Sequence, residues 1–249
     1  MGYMDQYIYR IIRKLHGLIT PEYIRVDPTL GIDYFIEKED KQRIHHLARY
    51  YWAREVLADI QLESVLDIAC GAGFGSFLLA HFLPNTFITG ADINHKAIEH
   101  AQRNFELPNL NYICADMASW QMTKNGISNP LGKYDAIVSF DTLEHLKHRE
   151  IALMRITENL PNNGVFLLST PCGHDSTILR PRWEHHQLEY GSGDLQNLLK
   201  RFFKNVYIPE DNSLPNLKFW NEIVNKDRIR YLNISNPVYC TDPIVFDKL

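Results

Sequence analysis

Acidic residues at strand ends, a run of alternate glycines and two histidine-bearing segments carry the chemistry open to this sequence. Gly71, Gly73 and Gly75 follow directly on the apolar run Val65-Leu66-Asp67-Ile68. Glycines there let the backbone bend sharply and approach a ligand with no Cβ in the way. The helix expected behind them offers unpaired N–H groups. Asp92 and Asp116 stand at the ends of the next two predicted strands. A carboxylate closing the second strand can accept both hydroxyl protons of a ribose, which suits an adenosine-containing cofactor. Further on, Asp141, Glu144 and His145 follow a fourth predicted strand, and His185 and His186 lie in a long segment after a fifth. Imidazole titrates near neutral pH, so these histidines are candidate general bases.

The glycine spacing narrows the ligand. Dinucleotide sites carry G-x-G-x-x-G. Counted from Gly71 this chain has G-x-G-x-G, with Ser76 where a third dinucleotide glycine would fall. That spacing argues against a nicotinamide cofactor.

These residues need a scaffold, and the apolar pattern supplies one. Val65, Leu66 and Ile68 suit a strand buried on both faces. Phe77, Leu78, Leu79 and Phe82 recur at helical spacing. The alternation then repeats: a strand over 86–91, a helix over 95–105 capped by Asn94, and a strand over 110–115. A polar connector follows, with Asn125, Gly126, Asn129, Pro130 and Gly132. Beyond it come a strand over 134–140, a helix over 149–160 and a strand over 165–170. Strands alternating with helices imply one mostly parallel α/β sheet covered on both faces. The rhythm then loosens into a loop over 172–192, a helix over 193–202, a strand over 204–209, an irregular stretch with a short helix over 217–224, and a last strand over 237–246. Ahead of the first strand, a long helix is expected over 37–60. Residues 3–19 carry Ile8, Ile11, Ile12, Leu15, Leu18 and Ile19 on one helical stripe, which suits packing on the domain or on a second copy as a homodimer. The chain thus divides into an N-terminal helical extension, 1–36, and one domain, 37–249, with 172–192 and 210–235 as substrate-side loops.

Composition excludes several classes. The 249 residues, 45% hydrophobic and 22% charged, suit a globular protein with a sizeable core. The net charge of −4 leaves no electrostatic footprint for a nucleic-acid backbone. Four widely spaced cysteines with no Cys-x-x-Cys fit a reducing, cytoplasmic compartment. No apolar run reaches the ~18 residues of a membrane span. Arg10, Arg13 and Lys14 break the N-terminal pattern that a signal peptide would need.

The segments V-L-D-I-A-C-G-A-G-F-G, G-A-D-I-N, C-A-D-M and Y-D-A-I-V-S-F-D-T-L-E-H-L occur in this order. In that order they resemble the class I S-adenosylmethionine-dependent methyltransferases, over about residues 43–206. The resemblance implies a Rossmann-like seven-stranded sheet whose last strand is antiparallel. It implies that Gly71 and Gly73 pass under the methionine part of S-adenosylmethionine, with Asp67 near its amino group. Asp92 would hold the ribose, Ile93 would flank the adenine, and Asp116 with Met117 would meet the adenine amino group. Asp141 is a further candidate on the cofactor. Ser-Phe-Asp-Thr at 139–142 differs from the Asp/Asn-Pro-Pro-Tyr of amino-methylating DNA enzymes, so DNA is not the expected substrate.

Two finer resemblances touch the acceptor. The pattern His186-x-x-Glu189-Tyr190 after Ser-Thr-Pro is similar to ubiquinone-pathway O-methyltransferases and to small-RNA 3′-terminal ribose methyltransferases. The second group implies a divalent metal on Asp141, Glu144, His145 and one histidine of the 185–186 pair, with His185 taken as the fourth ligand. Asp141 is one carbon shorter than the usual Glu, so no metal is the main expectation. Without metal, His185 or His186 is the expected base, with Glu144 and His145 as further catalytic candidates. His46-x-x-Arg49-Tyr50 ahead of the glycine turn resembles bacterial methyltransferases of glycan pathways, in which Arg49 and Tyr50 would meet the methionine carboxylate. The sequence therefore reads as an S-adenosylmethionine-dependent O-methyltransferase of a small molecule or glycan intermediate. Its alternatives are a metal-dependent RNA ribose methyltransferase, with RNA the less expected acceptor, and a cofactor-binding scaffold without turnover.

Overall fold

A computed structural model describes residues 24–124, 126–172, 176–181, 183–208 and 235–244. The expected helix over 3–19, the dimer contact assigned to it and the short helix over 217–224 lie outside them. A 3₁₀ turn, Pro28–Leu30, leads into α1 (Gly31–Glu37) and α2 (Lys41–Leu57). The alternating unit follows as β1 (Ser64–Ile68), α3 (Phe74–Phe82), β2 (Phe87–Asp92), α4 (His95–Asn104) and β3 (Leu110–Asp116). A hairpin of β4 (Gln121–Lys124) and β5 (Ile127–Pro130) comes next. The chain continues through β6 (Ala136–Phe140), a 3₁₀ turn at Leu143–His145, α5 (Arg149–Glu158), β7 (Val165–Pro171), α6 (Ser192–Leu199), β8 (Phe203–Tyr207) and β9 (Ser235–Pro243).

The sheet order is β5-β4-β3-β2-β1-β6-β7-β9-β8. Strands β3, β2, β1, β6 and β7 pair in parallel, and β9 runs antiparallel to both β7 and β8. The core is therefore parallel and its last strand antiparallel, as expected. The sheet has nine strands, not seven, because the hairpin adds two at the β3 edge, where the sequence suggests only a connector. Asp116 pairs with Gln121, and Gly126 turns the hairpin at φ 76°. Every residue of β5 is exposed, so no apolar alternation marks it.

The long helix expected over 37–60 is also divided. Glu39 takes φ 52°, and Asp40 then caps α2 by accepting from the Arg43 N–H at 3.1 Å. Val26, Ile32 and Phe35 are buried in the same core cluster as Leu47, Trp52 and Leu79. That cluster covers one face of the sheet. Leu66, Ile137, Leu153, Phe166 and Phe203 belong to the cluster on the other. No helix among the described residues is long and apolar enough to cross a membrane.

Two of the alternate glycines answer to packing. Gly73 takes φ 88°, and a Cβ there would lie 2.4 Å from the Ala101 Cβ of α4. Its carbonyl accepts the Tyr112 hydroxyl at 2.6 Å. Gly75 leaves the space filled by the Tyr50 ring, whose Cζ would lie 1.8 Å from an added Cβ. Overpacking a buried site typically costs about 1–3 kcal/mol. Gly75→Ala should therefore lower unfolding stability by about that amount in a denaturant titration, and Tyr50→Ala should relieve part of the loss in the double variant.

Candidate active site

The carboxyl ends of β1, β2, β3 and β6 meet at a cavity of about 290 Å³. Open α/β sheets bind ligands at this edge. Sharp turns open it. Ala69 after β1 and Asp141 after β6 both take left-handed φ values, 65° and 50°, and Gly71 takes 56°. For residues other than glycine this region is unfavourable, by roughly 1–3 kcal/mol. The strain sits where the two central strands hand the chain to the cavity.

Arg49, Tyr50, Gly71, Asp92, Ile93, Asp116, Met117, Asp141 and His145 all line that cavity, as does His46. Asp92 is buried, and its two oxygens accept the Gly71 N–H at 2.9 Å and the Asn94 N–H at 2.8 Å. It thereby ties the glycine turn to the start of α4. Asp116 accepts the Ala118 N–H at 2.9 Å and so shapes the turn after β3. Ile93, 69% exposed, and Met117, buried, line the same cavity.

Gly73 and Asp67 stand apart from the lining. Gly73 is not among the residues that line the cavity, and a Cβ there would meet Ala101 and Tyr112. Asp67 is fully buried and accepts from the Ser76 hydroxyl at 2.6 Å and the Tyr50 hydroxyl at 3.3 Å. It therefore supports Tyr50, which in turn forms the cavity wall. Burial pushes the Asp67 carboxyl up to about 7, against the opposing hydrogen bonds from Ser76 and Tyr50.

Arg49 is 2% exposed and ion-paired to Asp141. Its Nη1 also donates to His46 Nδ1 at 3.1 Å. Its Nε is buried and has no hydrogen-bond partner among the described residues. Burial and the neighbouring Arg49 guanidinium pull His46 down to about 4. Asp141 Oδ1 also accepts the Ser169 hydroxyl at 3.1 Å.

The Glu144–His145 turn is bound to the 183–190 segment. Glu144 is buried, accepts the Thr170 hydroxyl at 2.9 Å, and offers its backbone carbonyl to the Gln187 N–H at 2.7 Å. Burial and the nearby Asp141 push its carboxyl up to about 8. His145 Nδ1 lies 3.1 Å from the His185 carbonyl, and its Nε2 lies 4.0 Å from Glu144 Oε1. His186 Nδ1 lies 2.7 Å from Glu189 Oε1, and the His145 and His186 rings meet edge to face at 4.8 Å.

Glu144, His145 and His186 bring one ligand atom each to within 4.8 Å of one another. The metal set implied by resemblance changes in two places. Asp141 is held by Arg49 and Ser169, and His185 serves the turn through its backbone carbonyl, with its imidazole beside Glu184. Neither His185 nor His186 lines the cavity; His145 does. His46, which the sequence offered only as part of the motif with Arg49 and Tyr50, lines the cavity too. Its signal was the helical spacing to Arg49, which puts both on one face.

The family described as "Methyltransferase domain" matches residues 61–224. The chain belongs to that family. It is an S-adenosylmethionine-dependent methyltransferase of class I. Among curated relatives, a malonyl-[acyl-carrier protein] O-methyltransferase of Bacillus cytotoxicus is 21% identical over 196 residues, covering 73% of this chain and 66% of the relative. A fatty-acid O-methyltransferase of Mycolicibacterium smegmatis is 25% identical over 178 residues, covering 70% and 58%. Among solved structures, the plantazolicin methyltransferase BpumL in complex with S-adenosylhomocysteine aligns over 97% of this chain and 100% of its own, with a TM-score of 0.55 and 14% identity. The N-methyltransferase NodS of Bradyrhizobium japonicum aligns over 79% and 85%, with a TM-score of 0.52 and 16% identity. At these identities the structures share the fold.

The raised Asp67 carboxyl has a measurable consequence. Its folded value, about 7, lies above the ordinary 3.8, so the folded state holds the proton more tightly. Its contribution to stability is full below about pH 4, falls as pH rises to about 7, and is level above that. Asp67→Asn should flatten that fall, which amounts to roughly 4 kcal/mol at one pK unit per 1.36 kcal/mol. Denaturant titrations of both proteins across pH 4–8 check it.

Proposed function

We propose that this methyltransferase methylates oxygen on a small molecule or on a sugar or glycan intermediate, with His145 as the general base. The observation that carries the reading is His145 on the wall of the cavity that the cofactor candidates line. A carbonyl only accepts, so the contact to the His185 carbonyl makes Nδ1 the protonated nitrogen and leaves the lone pair on Nε2. Nε2 then takes the proton that the acceptor hydroxyl releases. The imidazolium so formed lies beside Glu144, whose ionised form would stabilise it. The relatives named for O-methylation support oxygen as the atom modified.

The cofactor suits the residues present. Arg49 is a cation of the cavity lining whose buried Nε has no hydrogen-bond partner among the described residues, which suits the methionine carboxylate, and Tyr50 lines the same cavity. Asp92 is the ribose residue of this reading, Gly71 the point of close backbone approach, and Asp116, Ile93 and Met117 the adenine side. When bound, S-adenosylmethionine supplies a methyl group on a positively charged sulfur, and the broken carbon–sulfur bond leaves its electron pair there. The chain's residues must align the acceptor, exclude water and take the proton.

One observation favours a second reading. Each member of the Glu144–His145–His186 group is oriented by a neighbour, namely Thr170, the His185 carbonyl and Glu189. Outer partners of this kind orient metal ligands, and carboxylate with imidazole suits Mn²⁺ or Zn²⁺. In this reading the metal, not His145, would activate the acceptor. Activity that survives exhaustive chelation removes it.

Calorimetry should show S-adenosylhomocysteine binding and no NAD binding; the reverse would sink the cofactor assignment. Asp92→Ala should weaken that binding at least about tenfold, since it removes hydrogen bonds to a charged acceptor. An unchanged affinity would remove Asp92 from the ribose role.

A further inference from the structure

Side chains from three other elements hold the backbone of the glycine turn at three successive residues. Asp92 at the end of β2 accepts the Gly71 N–H at 2.9 Å. His100 of α4 has its Nδ1 3.2 Å from the Ala72 carbonyl. Tyr112 of β3 donates its hydroxyl to the Gly73 carbonyl at 2.6 Å. A carbonyl only accepts, so His100 Nδ1 carries the hydrogen of that contact. Burial pushes the Tyr112 hydroxyl well above its ordinary pKa, which keeps it a donor. Gly71 and Ala72 line the cofactor cavity, whereas His100 and Tyr112 do not. The two carbonyls are therefore engaged by groups behind the turn.

The packing is arranged to let Tyr112 reach. Its strand, β3, is separated from β1 and the turn by β2. The ring crosses β2 at Gly90, its register partner. A Cβ at Gly90 would lie 2.6 Å from Tyr112 Cδ1 and 2.6 Å from Ser76 Oγ. A glycine inside a strand marks such a close approach. Three consecutive residues of α4 complete the brace. His100 meets Ala72, the Ala101 Cβ limits the space at Gly73, and Gln102 Nε2 donates to the Tyr112 carbonyl at 2.9 Å.

We infer that Tyr112 and His100 are positioning residues for the cofactor, which fix the Gly73 and Ala72 carbonyls so that the Gly71–Ala72 backbone meets S-adenosylmethionine in one preset geometry. Gly71 and Gly73 hold left-handed φ values, 56° and 88°. Glycine enters that region freely and leaves it as freely, so the turn has little stiffness of its own. If it were ordered only when the ligand arrives, the lost backbone entropy would be subtracted from the affinity. The brace orders the turn beforehand. Because it acts on the free protein's turn and touches no reacting atom, it governs how tightly the cofactor binds and not how fast the methyl group leaves the sulfur.

This inference rests on Gly71 as the point of close approach to the cofactor, and its test is separable from that reading. The measurement is calorimetric titration with S-adenosylhomocysteine. Tyr112→Phe keeps the ring over Gly90 and removes only the donor, so it should weaken binding about fivefold, the worth of one typical hydrogen bond. His100→Ala should weaken it by a similar factor, and His100→Asn, whose amide N–H can stand in for Nδ1–H, should restore most of the loss. Leu199→Ala is the control. It opens the core on the other face of the sheet, away from the turn, and should lower stability while binding as tightly as the unaltered protein. In labelled methyl transfer into source-cell extract, Tyr112→Phe and His100→Ala should raise the half-saturating S-adenosylmethionine concentration by the same factors with the plateau rate kept. Unchanged affinity in either variant overturns the inference. So does an equal loss in Leu199→Ala, which would make the effect one of stability, or a lowered plateau with half-saturation unchanged, which would place the pair in the chemical step. Absence of binding by the unaltered protein counts instead against the cofactor site itself.

Discussion

The ion pair between Arg49 and Asp141 is the contact on which the rest of the site depends. It joins α2, which precedes the sheet, to the turn after β6, and it does so across the wall of the cavity. Desolvating two charges is expensive, and removing one partner of such a pair typically costs about 3–5 kcal/mol. The surroundings offset the burial. Ser169 donates to Asp141, and His46 accepts from Arg49. Asp141 in turn holds a left-handed backbone at the end of β6, so the pair fixes where the following turn begins. Glu144 and His145 start from that point. Through the His185 carbonyl and the Gln187 N–H, the same turn seats the 183–190 segment.

The parallel core was legible because its strands are buried on both faces. Val65, Leu66 and Ile68 of β1 are all buried, and such a run reads as a strand without alternation. The hairpin β4–β5 was not legible by the same rule, since its outer strand buries nothing. Asn125-Gly126, a strong hairpin dipeptide, was the local signal there and was read only as part of a polar connector. The break between α1 and α2 also escaped, because it turns on one left-handed residue, Glu39, whose type does not announce it.

The site divides along a similar line. Asp92, Asp116 and Gly71 could be read because their roles follow from position at a strand end. The purpose of Gly73 and Gly75 could not, because it is set by Ala101, Tyr112 and Tyr50, which are remote in the chain. The sequence offered His145, His185 and His186 as catalytic candidates, and of these His145 lines the cavity, together with His46 of the motif His46-x-x-Arg49-Tyr50. Nothing in the residue types distinguishes a histidine that lines a cavity from one that braces its neighbour. That difference arises only once Glu189 binds His186 and the His185 carbonyl binds His145.

The added hairpin bears on how the molecule meets its own copies. An open sheet presents unpaired backbone groups along its outermost strands, and these invite further strands to join. Without β4 and β5 that margin would be β3, whose end carries Asp116 and shapes the cavity floor. Here the outermost strand is short, wholly exposed and ends at Pro130, which has no N–H to offer. The opposite margin, β8, carries the exposed Lys204. Both borders of the sheet are thus poor templates for strand addition, and the ligand-bearing strands lie sheltered between them.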